Sequence, residues 1–175
     1  MKALSVFSVG LLSALAVAAA AAEGPSDAQI AAIVVTANQV DIDAGALAQT
    51  KASATEVRDF ARLMVTDHGA VNTSATQLAA KLKVTPEPND TSRSLQKGGD
   101  DNLASLKKLG GAAFDRAYVD HEVVYHQAVL DALDKTLIPS ARNAELKALL
   151  VKVRPAFVAH LEHAKQLQGT LGARN

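Results

Sequence analysis

Four stretches of the chain carry apolar residues at alternating steps of four and three. The first runs Ile30, Val34, Ala37, Asp41, Ala44, Ala48, and the second Val57, Ala61, Met64, His68, Val71, Ala75, Leu78, Leu82. The third runs Val119, Val123, His126, Leu130, Leu133, Leu137, and the fourth Leu146, Leu150, Val153, Phe157, His160, Ala164, Leu167, Leu171. Such steps put side chains on one face of a helix. No segment alternates with period two, so the pattern predicts an all-α protein with no strand. Three of the stripes hold one histidine where a hydrophobe belongs, and the remaining one holds Asp41. A buried polar group left without a partner costs roughly 1–3 kcal/mol. One such residue on each core-facing stripe implies that the interior holds a metal ion or a polar network.

Start and stop signals set the boundaries. Ser26 and Gln29 form an S-x-x-Q capping box, which predicts helix 1 from there to about Thr50. Ser53 and Glu56 repeat the pattern and predict helix 2 to about Val84, ended by Pro86 and Pro88. Residues 85–110 read as a connector carrying a short helix near Asp100 to Leu109, stopped by Gly110-Gly111. Helix 3 is predicted from about Ala112 to Leu137 and helix 4 from near Ser140 to near Gly169, with a kink at Pro155. Four long helices with one long middle connection describe a four-helix bundle of the ferritin-like type. An up-down-up-down bundle with a decorated loop is the alternative.

Counting residues from the turns gives heights along the bundle at about 1.5 Å per residue. Asp41 lies before the turn at Ser53 and His68 after it, at heights that differ by about 4–5 Å. His126 falls near mid-bundle, with Glu122 one turn earlier on the same face. Asp41, His68, Glu122 and His126 are therefore predicted to share a layer. Counted from Pro139, His160 is offset from His126 by about 12 Å. The expectation is a second polar layer, where His160 faces Tyr118 with His121 and His163 close by. His160 and His163, three residues apart, form a chelating pair on one face. The candidate metal ligands are thus His68, His126, His160, Asp41, Glu122 and His163. Imidazole and carboxylate together suit Fe, Mn, Zn or Cu. The competing reading binds no metal and leaves these residues as a hydrogen-bonded network that fixes helix register.

Composition narrows the remaining functions. Lys plus Arg and Asp plus Glu balance at 18 each, which gives no electrostatic reason for a nucleic-acid partner. Trp is absent and aromatic residues make up 3%, so base- or sugar-stacking platforms are not expected. There is no cysteine, hence no disulfide and no thiolate ligand. There is also no G-x-S-x-G elbow and no phosphate-binding loop. No catalytic residue is assigned.

The chain opens with Met1-Lys2, an apolar run from Leu4 to Ala20, and Ala20-Ala21-Ala22 before Glu23. This reads as a secretory signal peptide over residues 1–22, cleaved after Ala22. No second apolar run of spanning length is expected to exist, so no membrane span is expected. Residues 23–175 would then be one helical domain, and export without cysteine suits a bacterial periplasm. Its partners would be an envelope protein, docked for instance on the 85–110 connector, or a second copy of the chain.

Several segments in combination resemble a known family. They are Val57-Arg58-Asp59-Phe60-Ala61, then Met64-Val65 with Asp67-His68, then Phe114-Asp115-Arg116-Ala117-Tyr118 with His126 eight residues on, and finally Pro155 and His160. Together they resemble the domain of unknown function family 4142, which is bacterial, ferritin-like and usually exported. The resemblance covers helix 1 to helix 4. It implies a periplasmic or envelope helical bundle and no particular activity.

Overall fold

The computed structural model describes residues 24–173. The predicted signal peptide, residues 1–22, lies outside them. Among the described residues there is no strand. The helices are α1 (Asp27–Lys51), α2 (Thr55–Leu82), α3 (Asp90–Lys107) and α4 (Gly111–Ala132). A π-helical turn, Leu133–Leu137, runs on into α5 (Ile138–Ser140), and α6 (Ala144–Ala173) completes the bundle.

Two apolar clusters lie at opposite ends. One gathers Ala48, Val57, Phe60, Met64, Phe114, Tyr118 and Leu167. The other gathers Ile30, Val34, Ala75, Leu130, Leu137, Leu146 and Leu150. These memberships fix the helix directions. The start of α1, the end of α2, the end of α4 and the start of α6 share one end. Helices α2 and α4 therefore run in the same direction, and α3 is the segment that carries the chain back between them. Close packing of α1 on α2 uses small side chains. A Cβ at Gly45 would lie 3.0 Å from the Ala61 carbonyl oxygen.

Several boundaries differ from the sequence expectation. Helix α1 begins with the predicted capping box of Ser26 and Gln29. Helix α2 begins without one, with Ala54 at its N-cap. The free N–H groups of Ser53 and Ala54 instead donate to the Asp115 carboxylate of α4, at 2.8 and 2.9 Å. Tertiary docking thus replaces the local Ser53–Glu56 box. The short connector helix proves to be the 18-residue α3. Asn89 caps it through a reciprocal pair with Ser92. Gly98-Gly99 does not interrupt it, because α3 packs along α1 there and a Cβ at Gly99 would come within 2.6 Å of Val40 Cγ2.

The predicted helix 3 is α4 plus the π turn, and α6 starts four residues later than expected. Asn143 caps α6, its Oδ1 accepting from Glu145 and Leu146 N–H. The Asp27 carboxylate accepts from Arg142 and Asn143 N–H at 2.9 Å each, tying this turn to the start of α1. Helix α6 continues through Pro155. Helix α1 is long and apolar enough, by length and composition, to cross a membrane, a property that the buried helix of a globular core shares. That run corrects the expectation that no second apolar run of spanning length exists. Its inner face carries buried Asn38 and Asp41.

Candidate metal centre

Between the two apolar clusters lies a layer of buried polar side chains: Asn38, Asp41, His68, Glu122, His126 and His160. Asp41, Glu122 and His126 are each 1% exposed. Helix α1 contributes Asn38 and Asp41, α2 contributes His68, α4 contributes Glu122 and His126, and α6 contributes His160. Asp41, His68, His126 and His160 point inward because each occupies a stripe position, and Asn38 and Glu122 lie one turn before Asp41 and His126 on the same helices.

His160 belongs to this layer and not to a second one. Its ring centroid lies 5.2 Å from that of His68 and 5.4 Å from that of His126. The offset inferred from Pro139 fails because the chain turns at Ala141–Asn143. Helix α4 is prolonged by the π turn, so His126 and His160 stand nearly equidistant from the true turn. His163 packs edge-on against Phe60 at 5.0 Å, in the neighbouring apolar cluster. It belongs to neither of the two compact groups of three donor residues that the described residues form. His121 is half-buried and its ring lies 5.6 Å from that of Tyr125. Tyr118 stacks with Phe114 at 6.3 Å, and its hydroxyl neighbours Glu122.

Two groups of donor atoms form, and they share His126. One donor atom from each of His68, His126 and His160 lies within 4.8 Å of the others, and the same holds for Asp41, Glu122 and His126. Asp41 Oδ2 lies 3.1 Å from His68 Nε2 and 3.5 Å from His126 Nε2. Among the described residues these are the groups compact enough to hold a metal ion.

The surrounding hydrogen bonds set the state of each imidazole. Asn38 Nδ2 donates to the Val34 carbonyl at 2.7 Å, which turns its Oδ1 toward the layer. His68 Nδ1 lies 2.7 Å from that oxygen, and since the oxygen only accepts, the nitrogen donates. His126 Nδ1 donates to the Glu122 carbonyl at 3.1 Å, with Glu122 Oε2 a further 3.3 Å neighbour. His160 Nε2 donates to Asp67 Oδ2 at 2.9 Å. In each neutral ring the proton is thus held on one nitrogen, and the other presents a lone pair. Those other nitrogens are His68 Nε2, His126 Nε2 and His160 Nδ1. All three are buried and without a hydrogen-bond partner, as are both Asp41 oxygens and Glu122 Oε2.

Electrostatics agrees with neutral imidazoles at His68 and His160. Burial, and then His126 and His160, lower the His68 pKa to about 2. Burial lowers that of His160 as well, against the opposing pull of Asp67. Burial pushes Glu122 up to about 8. It holds Asp41 well above the ordinary carboxyl range, with Glu122 adding to the effect. Without a cation in the layer, protons are therefore retained on the carboxyls.

Asn38, Asp67 and Phe157 were not among the residues singled out from sequence as ligands or supports. Asn38 carried a signal, one turn before Asp41 on the same helix face. Asp67 carried little, because its partner His160 lies 93 positions away. Phe157 stacks on His68 at 5.1 Å with nearly parallel rings.

The family model described as domain of unknown function (DUF4142) matches residues 12–167 of the chain. No curated protein and no solved structure matches it.

Proposed function

The chain belongs to the domain of unknown function family 4142, and on that premise we propose that it is an exported envelope protein holding a transition-metal ion in its helical core. In this reading the bundle is ferritin-like: α1, α2, α4 and α6 form the four core helices, and α3 is the long crossover. Asp41, His68, Glu122, His126 and His160 hold the ion. Bacterial origin, periplasmic location and a role in stress or redox protection belong to the same proposal.

One observation carries it. The six polar atoms without hydrogen bonds, on these five side chains, are the atoms that would ligate. At roughly 1–3 kcal/mol for each unmet buried group, leaving all of them unsatisfied would rival the roughly 5–15 kcal/mol that stabilises a typical domain. An ion, protons or water entering from the surface must satisfy them, and among these an ion uses all six at once. The second nitrogen of each histidine is already engaged by Asn38, the Glu122 carbonyl or Asp67, the outer support typical of imidazole ligands. Imidazole with carboxylate suits Fe, Mn, Zn or Cu. A bound ion of this kind supplies Lewis acidity or, for Fe, Mn or Cu, electron transfer.

The second reading keeps the same residues as a register-fixing network with no metal. It is favoured by the Asn38–His68 and Asp67–His160 bonds, which hold these rings in place by hydrogen bonding alone. Elemental analysis of untagged protein from the periplasm, purified without chelator, tests the choice. The expected result is a stoichiometric transition metal that is lost when Asp41 and His126 are replaced together. Metal-free protein whose stability ignores added Fe, Mn, Zn and Cu would leave the network reading standing.

A further inference from the structure

A cavity of about 470 Å³ leads to the polar layer from the surface beside the start of α3. Its walls are aliphatic, with Ile33, Val34, Val129, Leu133, Leu150 and Val153 among them. Its exposed lining residues are Asp90, Thr91, Ala128 and Thr136. Its inner end is closed by Asp41, His68 and His126, and Phe157 flanks them. Glu122 and His160 do not line it. Any open position at the ion would therefore face this cavity from the Asp41, His68 and His126 side. The π-helical turn forms part of the wall through Leu133 and Leu137, and such turns recur at functional sites. The volume lies within the range of small-molecule pockets, which are largely apolar with a few convergent polar groups.

We propose that this cavity takes an uncharged aliphatic molecule with one terminal oxygen, a medium-chain alcohol or aldehyde. The hydrocarbon lies along the aliphatic wall and the oxygen sits at Asp41, His68 and His126. Shape and chemistry set the tail: aliphatic walls left unfilled forfeit the dispersion contacts of a packed core. Charge sets the head. One divalent ion with ionised Asp41 and Glu122 is a neutral set, because an imidazole ligates a metal as the neutral ring. A fatty carboxylate would leave a net buried negative charge, which is costly in an apolar site. A neutral oxygen completes the coordination without that cost. The placement of the oxygen rests on the metal reading above, whereas the place of the tail does not.

The test uses the whole mature protein loaded with Co(II), whose visible bands report its ligands. Titration with 1-octanol should change these bands saturably, and octanoate should bind at least tenfold more weakly. Ala37→Phe fills the cavity from α1 at a half-buried position next to Asn38. It should keep the Co(II) bands and lose the response to 1-octanol. A wild type without any octanol response, an equal response in Ala37→Phe, or tighter binding of octanoate would each overturn the proposal. If Co(II) shows no nitrogen–oxygen ligation at all, the metal reading fails and the oxygen placement falls with it. The tail's site is then read separately, by saturable NMR line broadening of 1-octanol with metal-free wild type. Broadening that Ala37→Phe abolishes upholds the cavity occupant, and its absence overturns that too.

Discussion

Asp41 Oδ2 and His68 Nε2 lie 3.1 Å apart in the protein interior, and neither makes a hydrogen bond. Because His68 gives its proton to Asn38, the two atoms face each other as lone pairs. Such a contact is repulsive unless a proton or a metal ion lies between them. The two occupants respond differently to chelators, pH and substitution.

His68→Leu and His126→Leu separate them by thermal denaturation. With a bound ion, chelation should destabilise the wild type by about 3 kcal/mol where metal stands at a hundred times its Kd. Both variants, each short of one ligand, should barely respond. A wild type whose Tm is unchanged by chelator and by added metal would contradict the metal site.

Asn38→Leu removes the acceptor that holds the His68 proton on Nδ1, without touching a ligand atom. Metal affinity should fall about 10–100-fold, as for other outer supports of imidazole ligands. The helical circular dichroism should persist. Unaltered affinity would show that the Asn38 bond does not set the imidazole.

The metal-free protein should be most stable at mildly acidic pH. The His68 pKa is depressed from 6.5 to about 2, so its contribution is complete above 6.5 and is lost as pH falls below that. Glu122 is raised from 4.5 to about 8, so its contribution is complete below 4.5 and is lost as pH rises toward 8. Asp41 is raised as well and acts in the same direction as Glu122. The opposing slopes offset one another between 4.5 and 6.5. From 6.5 to 8 the Glu122 slope remains, at roughly 1 kcal/mol per pH unit. The Tm of chelated protein should therefore fall over that interval. The extra stability given by metal should grow over it, because ligands bind deprotonated. A rising Tm for the chelated protein from pH 6.5 to 8 would refute this ionisation scheme.

Asp115→Ala should lower stability by about 1–3 kcal/mol, since it strands the N–H groups of Ser53 and Ala54 at the start of α2. For a domain of this size that is a loss of several degrees in Tm. Metal content should be unaffected, because Asp115 lies in the capping contact and outside the polar layer. Lost metal with an unchanged Tm would place Asp115 in the site instead.

Export is checked by mass. Protein recovered from the periplasm of an expressing bacterium should begin at Glu23. A retained Met1 in the membrane fraction would overturn the proposed cleavage after Ala22.

The sequence alone determined the helical fold class and the inward direction of its polar residues. A 4-and-3 stripe is a property of one helix, so Asp41, His68, His126 and His160 had to face a core whatever the partners were. Glu122 followed from its one-turn spacing to His126. The family was legible from scattered residues such as Phe60, His68 and Asp115. Only the tertiary structure decided which inward residues meet. The height of His160 depended on where the chain turns, and the π turn after α4 moved that turn past Pro139. Helix α3 depended on Gly99 fitting against Val40, a contact that spans 59 positions and leaves no local periodicity. The start of α2 depended on Asp115, whose carboxylate reaches N–H groups more than 60 positions away. Local spacing fixes direction within a helix because it follows from helical geometry. Register between helices is set by packing and capping contacts distant in the chain, and no stripe records those.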